Sequence, residues 1–345
     1  MKTVLSKRSS RDISTPECDV QGVDSKLRLI KSLSEAAQAG TDAEVAARLI
    51  QLRHNTWKCG QYPEPPSQWP PTVSADVGGA RIPTIGPADL SADVLCDAIS
   101  RQSCLLVRGL MPERDADAMV AGIDHALDAF ERRRDGDTDP ALDAWFLPFV
   151  PETGQDSYAM VRHMANVNGT VFAADSPHNF QRFIDICNSM GVLDILTEYF
   201  GVRPVLSVPK TTLKRVRPDT PVGWHQDIRA YGAKTRAVNM WVALSSCGTD
   251  ARGLAVVPVN PGGPVEDVPP PPPLVPISDE TINRLASEGT PPQEPVFEKG
   301  DVLFFDTLLP HTTQQGSGFT RDRYAMECWF FAPTTLSEIW LPLHV

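Results

Sequence analysis

The sequence predicts a mixed α+β chain, with helices gathered in the first half and short strands in the second. Three observations carry this. Apolar residues recur at helical spacing over Lys26–Trp57, Pro112–Arg134 and Asn179–Phe200. After Gly201 the texture changes to short β-branched and aromatic runs. Glycine and proline punctuate those runs, as in an all-β sandwich or barrel.

Taken in order, residues 1 to about 25 are polar and aperiodic and read as a tail. Two helices follow, broken near Gly40-Thr41-Asp42, where Thr41 or Asp42 can cap the second. Prolines dominate Tyr62 to Pro71, so this part is extended and wraps a surface. Residues 83–134 read as strand, helix, strand, helix. Ser91 caps the first helix, Ser103–Gly109 is a buried strand, and Pro112 opens the long amphipathic helix. The acid-rich stretch Asp135–Pro140 lacks the spacing of a calcium loop and reads as solvated. Asn179–Phe200 is one helix ended by Gly201. Strands are expected at Arg203–Val208, Thr211–Val216, Ala237–Leu244, Leu254–Pro258, Asp301–Phe305 and Tyr324–Phe331. One long interruption, residues 261–295, carries five prolines at Pro269–Pro273 and a short helix within Ser278–Ser287. It is an insertion or a lid. The domain plan is therefore a tail (1–25), a helical extension with a proline-rich wrap (26–80) and one β-centred domain (81–345).

The chain has 345 residues, 41% hydrophobic and 22% charged, enough to bury a core without cross-links. Its formal net charge is −11 and no lysine/arginine run stands out, so neither nucleic acid nor an anionic membrane is an expected partner. The seven cysteines are scattered without a CxxC pair, so they are expected to be reduced. The N-terminus turns polar at once, without a signal-peptide core, and no run reaches the ~20 apolar residues of a membrane span. A cytoplasmic protein acting on a small molecule is expected, as monomer or homodimer.

The chemistry centres on Trp224-His225-Gln226-Asp227 and on His311, 84 residues beyond Asp227. Two imidazoles and a carboxylate are the smallest protein set that holds Fe(II) on one face and leaves the other open. In a strand, His225 and Asp227 point the same way because side chains alternate. The other histidines read differently. His54, His125 and His344 are expected to be exposed, and His178 to sit at a helix start. His163, with Arg162 in a candidate strand Met160–Met164, is expected to line the substrate side. Lys210, Lys214, Arg215 and Arg217 crowd one strand, and Lys214 is the choice to meet an anionic group. Trp224 and Gln226, beside the ligands, are expected to wall the pocket.

The motif order extends this reading. Trp-His-x-Asp is followed by Asn239-x-Trp241-x-x-Leu244, by Gly253-Leu254 leading to Pro258, by Gly300-Asp301-x-x-x-Phe305, by His311-x-Thr313 and by an arginine opening the last strand. This order resembles the phytanoyl-CoA dioxygenase family of Fe(II)/2-oxoglutarate-dependent oxygenases, most closely over residues 200–332. The resemblance implies a double-stranded β-helix, a cupin-like jelly roll with flanking helices. It implies His225, Asp227 and His311 as iron ligands. It implies Arg323, with Thr313, as the clamp on the far carboxylate of 2-oxoglutarate, and Arg321 as the competing arginine. The retained Asp227 separates the chain from halogenating relatives, in which a small residue frees a place for chloride. The activity implied is O₂-dependent hydroxylation of an unactivated C–H bond in a small secondary-metabolite or lipid-like substrate, with release of succinate. Desaturation, epoxidation, cyclisation and demethylation use the same cofactors. A β-barrel that binds metal or a small molecule without turnover is the alternative of another class.

Overall fold

The computed structural model describes residues 20–38, 43–63, 81–152, 157–219, 222–266 and 276–345. Residues 1–19 of the expected tail, the Thr41/Asp42 cap, the proline-rich stretch from residue 64 and the five-proline run lie outside the described residues, whereas residues 20–25, expected in the tail, are helical. Two helices open the described chain, α1 (Val20–Gln38) and α2 (Ala43–Cys59). Then come β1 (Thr84–Ile85), α3 (Ala92–Gln102), β2 (Cys104–Val107) and α4 (Glu113–Arg134). The middle holds α5 (Ala159–Val167), β3 (Thr170–Phe172), α6 (Pro177–Ser189) and α7 (Val192–Phe200). The β-rich half runs β4 (Val205–Val216), α8 (Ile228–Tyr231), β5 (Ala237–Ala243), β6 (Leu254–Val256), α9 (Asp279–Ser287), β7 (Val302–Asp306), β8 (His311–Thr313), β9 (Arg323–Phe331) and β10 (Pro342–His344).

Two sheets face each other. The large one has the order β1-β2-β7-β5-β9-β4-β10, with β3 also on β4. The small one pairs β6 with β8 and is widened by isolated bridges, His225 to His311 and Val256 to Gln293. This is the jelly-roll core with flanking helices. Register defines the inner face of the large sheet. Leu106 stands opposite Leu303, Leu303 opposite Trp241, Trp241 opposite Glu327, and Glu327 opposite Thr212. Directly opposed residues share a face, so this row crosses five strands on the side that meets the small sheet. The alternate residues Val242, Phe304, Cys328 and Phe330 pack outward under α3, α4, α6 and α7 in the larger core.

The local signals for these elements are physical. The Ser91 hydroxyl accepts from Val94 N and caps α3, and the Ser278 hydroxyl does the same for Thr281 N and α9. The strand β2 is buried along its whole length. The Gly300-Asp301 turn ties β7 to the Val107-Arg108-Gly109 turn after β2. Asp301 accepts from Gly109 N at 2.8 Å and from Arg108 Nη1 at 2.6 Å. Gly300 has a φ of +90°, and a Cβ there would lie 2.2 Å from Met111 O, so only glycine suits the turn. The acidic stretch after α4 turns back on the helix, with Arg132 donating to Asp137.

Several expectations need correction. Met160–Met164 is helical, not a strand. Its buried positions are the polar Arg162 and Asn166, four apart, whereas Met160, Val161, Met164 and Val167 are exposed. The segment 179–200 is two helices, because Gly191 takes a φ of +69°. The segments 203–208 and 211–216 form one strand, β4, with a register shift between Leu206 and Thr211. His54 is buried, its Nδ1 donating to Pro342 O at 2.9 Å, because α2 packs on β10. His344 is half-buried, and burial with the nearby Arg53 and Arg203 pushes its pKa down to about 4. Five cysteines are free and buried, but Cys59 is disulfide-bonded, with its partner outside the described residues.

Candidate metal centre and co-substrate pocket

The site lies between the two sheets, and backbone pairing builds it. His225 and His311 form an antiparallel bridge, so both imidazoles leave the backbone on the same side. Their ring centroids are 4.2 Å apart. Asp227 follows two residues after His225 and returns to that side. The donor atoms of His225, Asp227 and His311 all lie within 4.8 Å of one another. Two ligand bonds of about 2.0–2.2 Å set end to end span about 4 Å, so a single ion can hold all three after small side-chain movements.

The ring orientations suit a metal. Nδ1 of His225 donates to Gly223 O at 2.9 Å, and Nδ1 of His311 donates to Leu309 O at 3.0 Å. Each bond fixes a neutral tautomer and leaves the Nε2 lone pair free for coordination. The His311 Nε2 lies 3.6 Å from Asp227 Oδ2. Burial, and next the proximity of His225, pull the His311 pKa down to about 4, so its imidazole is neutral at physiological pH. A neutral nitrogen donor is what metal binding requires.

The cavity beside this triad is lined by Lys210, Lys214, Trp241, Leu254, Phe305, Thr313, Arg323 and Glu327, among others. Arg323 is buried to 3% exposure and lies over the Trp241 ring at 5.5 Å. Its Nη1 donates to Arg252 O and Gly253 O, while its buried Nε has no partner. An arginine held this way presents an unspent donor edge and an uncompensated charge, which suits a carboxylate. Thr313 lines the same cavity. The donor set therefore fits Fe(II), and the buried arginine fits a dicarboxylate co-substrate.

The expected residues divide sharply by position. His225, Asp227, His311, Thr313, Arg323 and Lys214 come together in the cavity. Lys214 arrives with its charge matched by a salt bridge to Glu327. Arg321 does not reach the cavity. It is exposed on the surface and forks onto Asp250, with Nη2 2.6 Å from Oδ1. The strand β9 begins only at Arg323, so alternation does not carry back to Arg321. Trp224 and Gln226 also fail to line the cavity, because the alternation that aims His225 and Asp227 inward aims them outward. Trp224 packs against Val257, Ile277, Ile282 and Leu285 around α9, and Gln226 Oε1 accepts from Val265 N. Arg162 is buried on α5, where it pairs with Asp175 at 2.6 Å and donates to Phe149 O. His163 is exposed on the same helix, near Phe130. Neither lines the cavity. Sequence reasoning missed Glu327, and period-2 counting from Arg323 would have found it.

Comparison with known proteins agrees with the geometry. The phytanoyl-CoA dioxygenase (PhyH) family profile matches residues 104–322. The chain belongs to the phytanoyl-CoA dioxygenase family, and its cofactors are Fe(II), 2-oxoglutarate and O₂. Solved structures similar to it include the epimerase SnoN in complex with Fe3+, alpha ketoglutarate and nogalamycin RO. That match has 15% identity and a TM-score of 0.45, and covers 70% of this chain and 83% of SnoN. The non-heme alpha ketoglutarate dependent carbocyclase SnoK from nogalamycin biosynthesis has 15% identity and a TM-score of 0.44, over 74% of this chain and 87% of its own. EctD from S. alaskensis with bound Fe has 16% identity and a TM-score of 0.42, over 73% and 80%. No curated protein matches the sequence. Among the described residues, no helix is long and apolar enough to cross a membrane.

Proposed function

We propose that this protein is an Fe(II)/2-oxoglutarate-dependent dioxygenase that hydroxylates an unactivated C–H bond of a small molecule. His225, Asp227 and His311 hold the metal, and Arg323 with Thr313 holds the far carboxylate of 2-oxoglutarate. The observation that supports this reading best is the buried, half-satisfied Arg323 in the same cavity as the triad. When bound, iron and 2-oxoglutarate supply O₂ activation, coupled to decarboxylation of the co-substrate to succinate and CO₂. The chain's own part is placement. The two Nδ1 bonds hold the imidazoles in aim, and the Asp227 carboxylate keeps its place on the metal, which favours hydroxylation over halogen transfer. Trp241, Leu254 and Phe305 give the cavity apolar walls that exclude water. The test is anaerobic addition of Fe(II) and 2-oxoglutarate, followed through the weak visible charge-transfer band of the chelate. Wild type is expected to give the band and His225→Ala to lose it. A silent wild type, or a band that survives in the variant, rejects the assignment. Succinate release across a substrate library then reads the reaction.

A further inference from the structure

We infer that Lys210 binds an anionic group of the substrate, which makes that substrate an acid bearing one negative charge. The inference rests on the oxygenase reading above and adds a substrate class to it.

Lys210 stands on β4 and lines the cavity of the metal triad. Lys214, four residues further along the same strand, is matched by Glu327. Both oxygens of Glu327 are engaged, one by Lys214 and the other by Trp329 Nε1 at 3.4 Å. Among the described residues, Lys210 makes no salt bridge, and the carboxylate that feels its charge, Glu327, is already paired with Lys214. Its ammonium instead rests over two rings, 5.1 Å from the centroid of Tyr231 and 5.5 Å from that of Trp340. Ring faces attract a cation without neutralising it, so the charge is held in place and stays available. Unspent hydroxyls lie nearby. The Tyr231 hydroxyl belongs to one of those rings, and the Thr212 hydroxyl projects from the same strand. Both are buried without a hydrogen-bond partner.

Charge balance points the same way. The cavity is lined by three cations, Lys210, Lys214 and Arg323, and two carboxylates, Asp227 and Glu327. A divalent metal and dianionic 2-oxoglutarate cancel each other. One positive charge therefore remains after both have loaded. In a partly enclosed cavity an unmatched charge attracts a counter-ion far more strongly than in water. Arg323 is committed to the co-substrate and Lys214 to Glu327, which leaves Lys210 for the substrate's carboxylate or sulfate.

The experiment loads the full-length protein with Zn(II), which prevents turnover, and with saturating 2-oxoglutarate. Saturation-transfer NMR and calorimetry then follow benzoate, phenylacetate, hexanoate and phenyl sulfate, beside the uncharged benzamide, phenylacetamide and hexanamide. At least one acid is expected to bind about tenfold or more tighter than its uncharged partner. Lys210→Met should abolish that preference and Lys210→Arg keep it, while 2-oxoglutarate affinity stays within about twofold in both. The sulfate arm separates a sulfate-bearing from a carboxylate-bearing substrate. The inference is overturned if acids and uncharged partners bind alike, if no acid binds, or if Lys210→Met keeps the preference. A protein that fails to take up 2-oxoglutarate at all rejects the underlying oxygenase reading instead.

Discussion

His225 and His311 exchange both of their backbone hydrogen bonds, each N–H donating to the other's carbonyl at 3.0 Å. That one pairing sets the spacing of two imidazoles that lie 86 positions apart in the chain. It makes the placing of both imidazoles a property of the small sheet. Asp227 adds the third donor without a backbone partner on His311, so its removal should leave the bridge standing. Asp227→Ala is expected to keep the fold, with an unchanged far-ultraviolet spectrum, and to bind Fe(II) at least about tenfold more weakly, since even changes beside a metal ligand cost that much. Calorimetric titration of Fe(II) under argon checks this, and equal affinity in the two proteins would remove Asp227 from the metal.

Arg323 and Arg321 make a controlled comparison two residues apart. Arg323 is buried with an idle Nε, while Arg321 is exposed and already paired with Asp250. Truncating one partner of a buried charge pair costs about 2–5 kcal/mol, whereas a surface pair is worth about 0–1 kcal/mol. Arg323→Met should therefore weaken 2-oxoglutarate binding by about 30-fold or more, and Arg321→Met should leave it unchanged. Arg323→Lys should recover only part of the loss, because an ammonium lacks the planar fork. Dissociation constants on Zn(II)-loaded protein decide the matter, and a large effect at Arg321 would reverse the assignment.

Arg162 sits in a structural ion pair. Its partner Asp175 is fully buried and also accepts from Phe149 N at 2.8 Å, so the pair pins Phe149 to the turn that precedes α6. Breaking a buried pair strands the other charge and costs about 3–5 kcal/mol. Arg162→Met should lower stability in urea by that order and leave 2-oxoglutarate affinity at the wild-type value. A stable variant with altered ligand binding would return Arg162 to the substrate side.

Much of this was readable in the sequence, and the failures have physical causes. The convergence of His225, Asp227 and His311 was legible because strand alternation and donor chemistry are local rules. Trp224 and Gln226 were misread against the same rule, since residues flanking inward ligands must point out. The strand β8 is three polar residues, His311–Thr313, too short to show a period. The helix α5 buries its polar side and exposes its apolar one, which inverts the pattern that marks helices. The burial of His54 depends on Pro342, 288 positions away, and no window along the chain carries that contact.

Glu327, paired with Lys214, ties stability to pH. Burial works to raise the Glu327 pKa, but the charge and hydrogen bond of Lys214, with Lys210 and His311 behind it, outweigh burial and hold it down at about 2. A depressed carboxylate stabilises the fold above its unfolded pKa of about 4.3, and that contribution is lost as pH falls towards the folded value. The window is therefore about pH 4.3 down to 2, and the contribution is of the order of 2–3 kcal/mol. Glu327→Gln removes the titrating group and leaves Lys214 unmatched. It should be less stable than wild type at pH 7, and the gap should narrow as pH falls through the window, because the unfolded wild-type chain then takes up a proton that the folded carboxylate still refuses. Denaturant unfolding at pH 7 and pH 3 measures both gaps. A gap that stays constant between the two values would mean that Glu327 titrates normally and that its pairing with Lys214 does not shape the cavity.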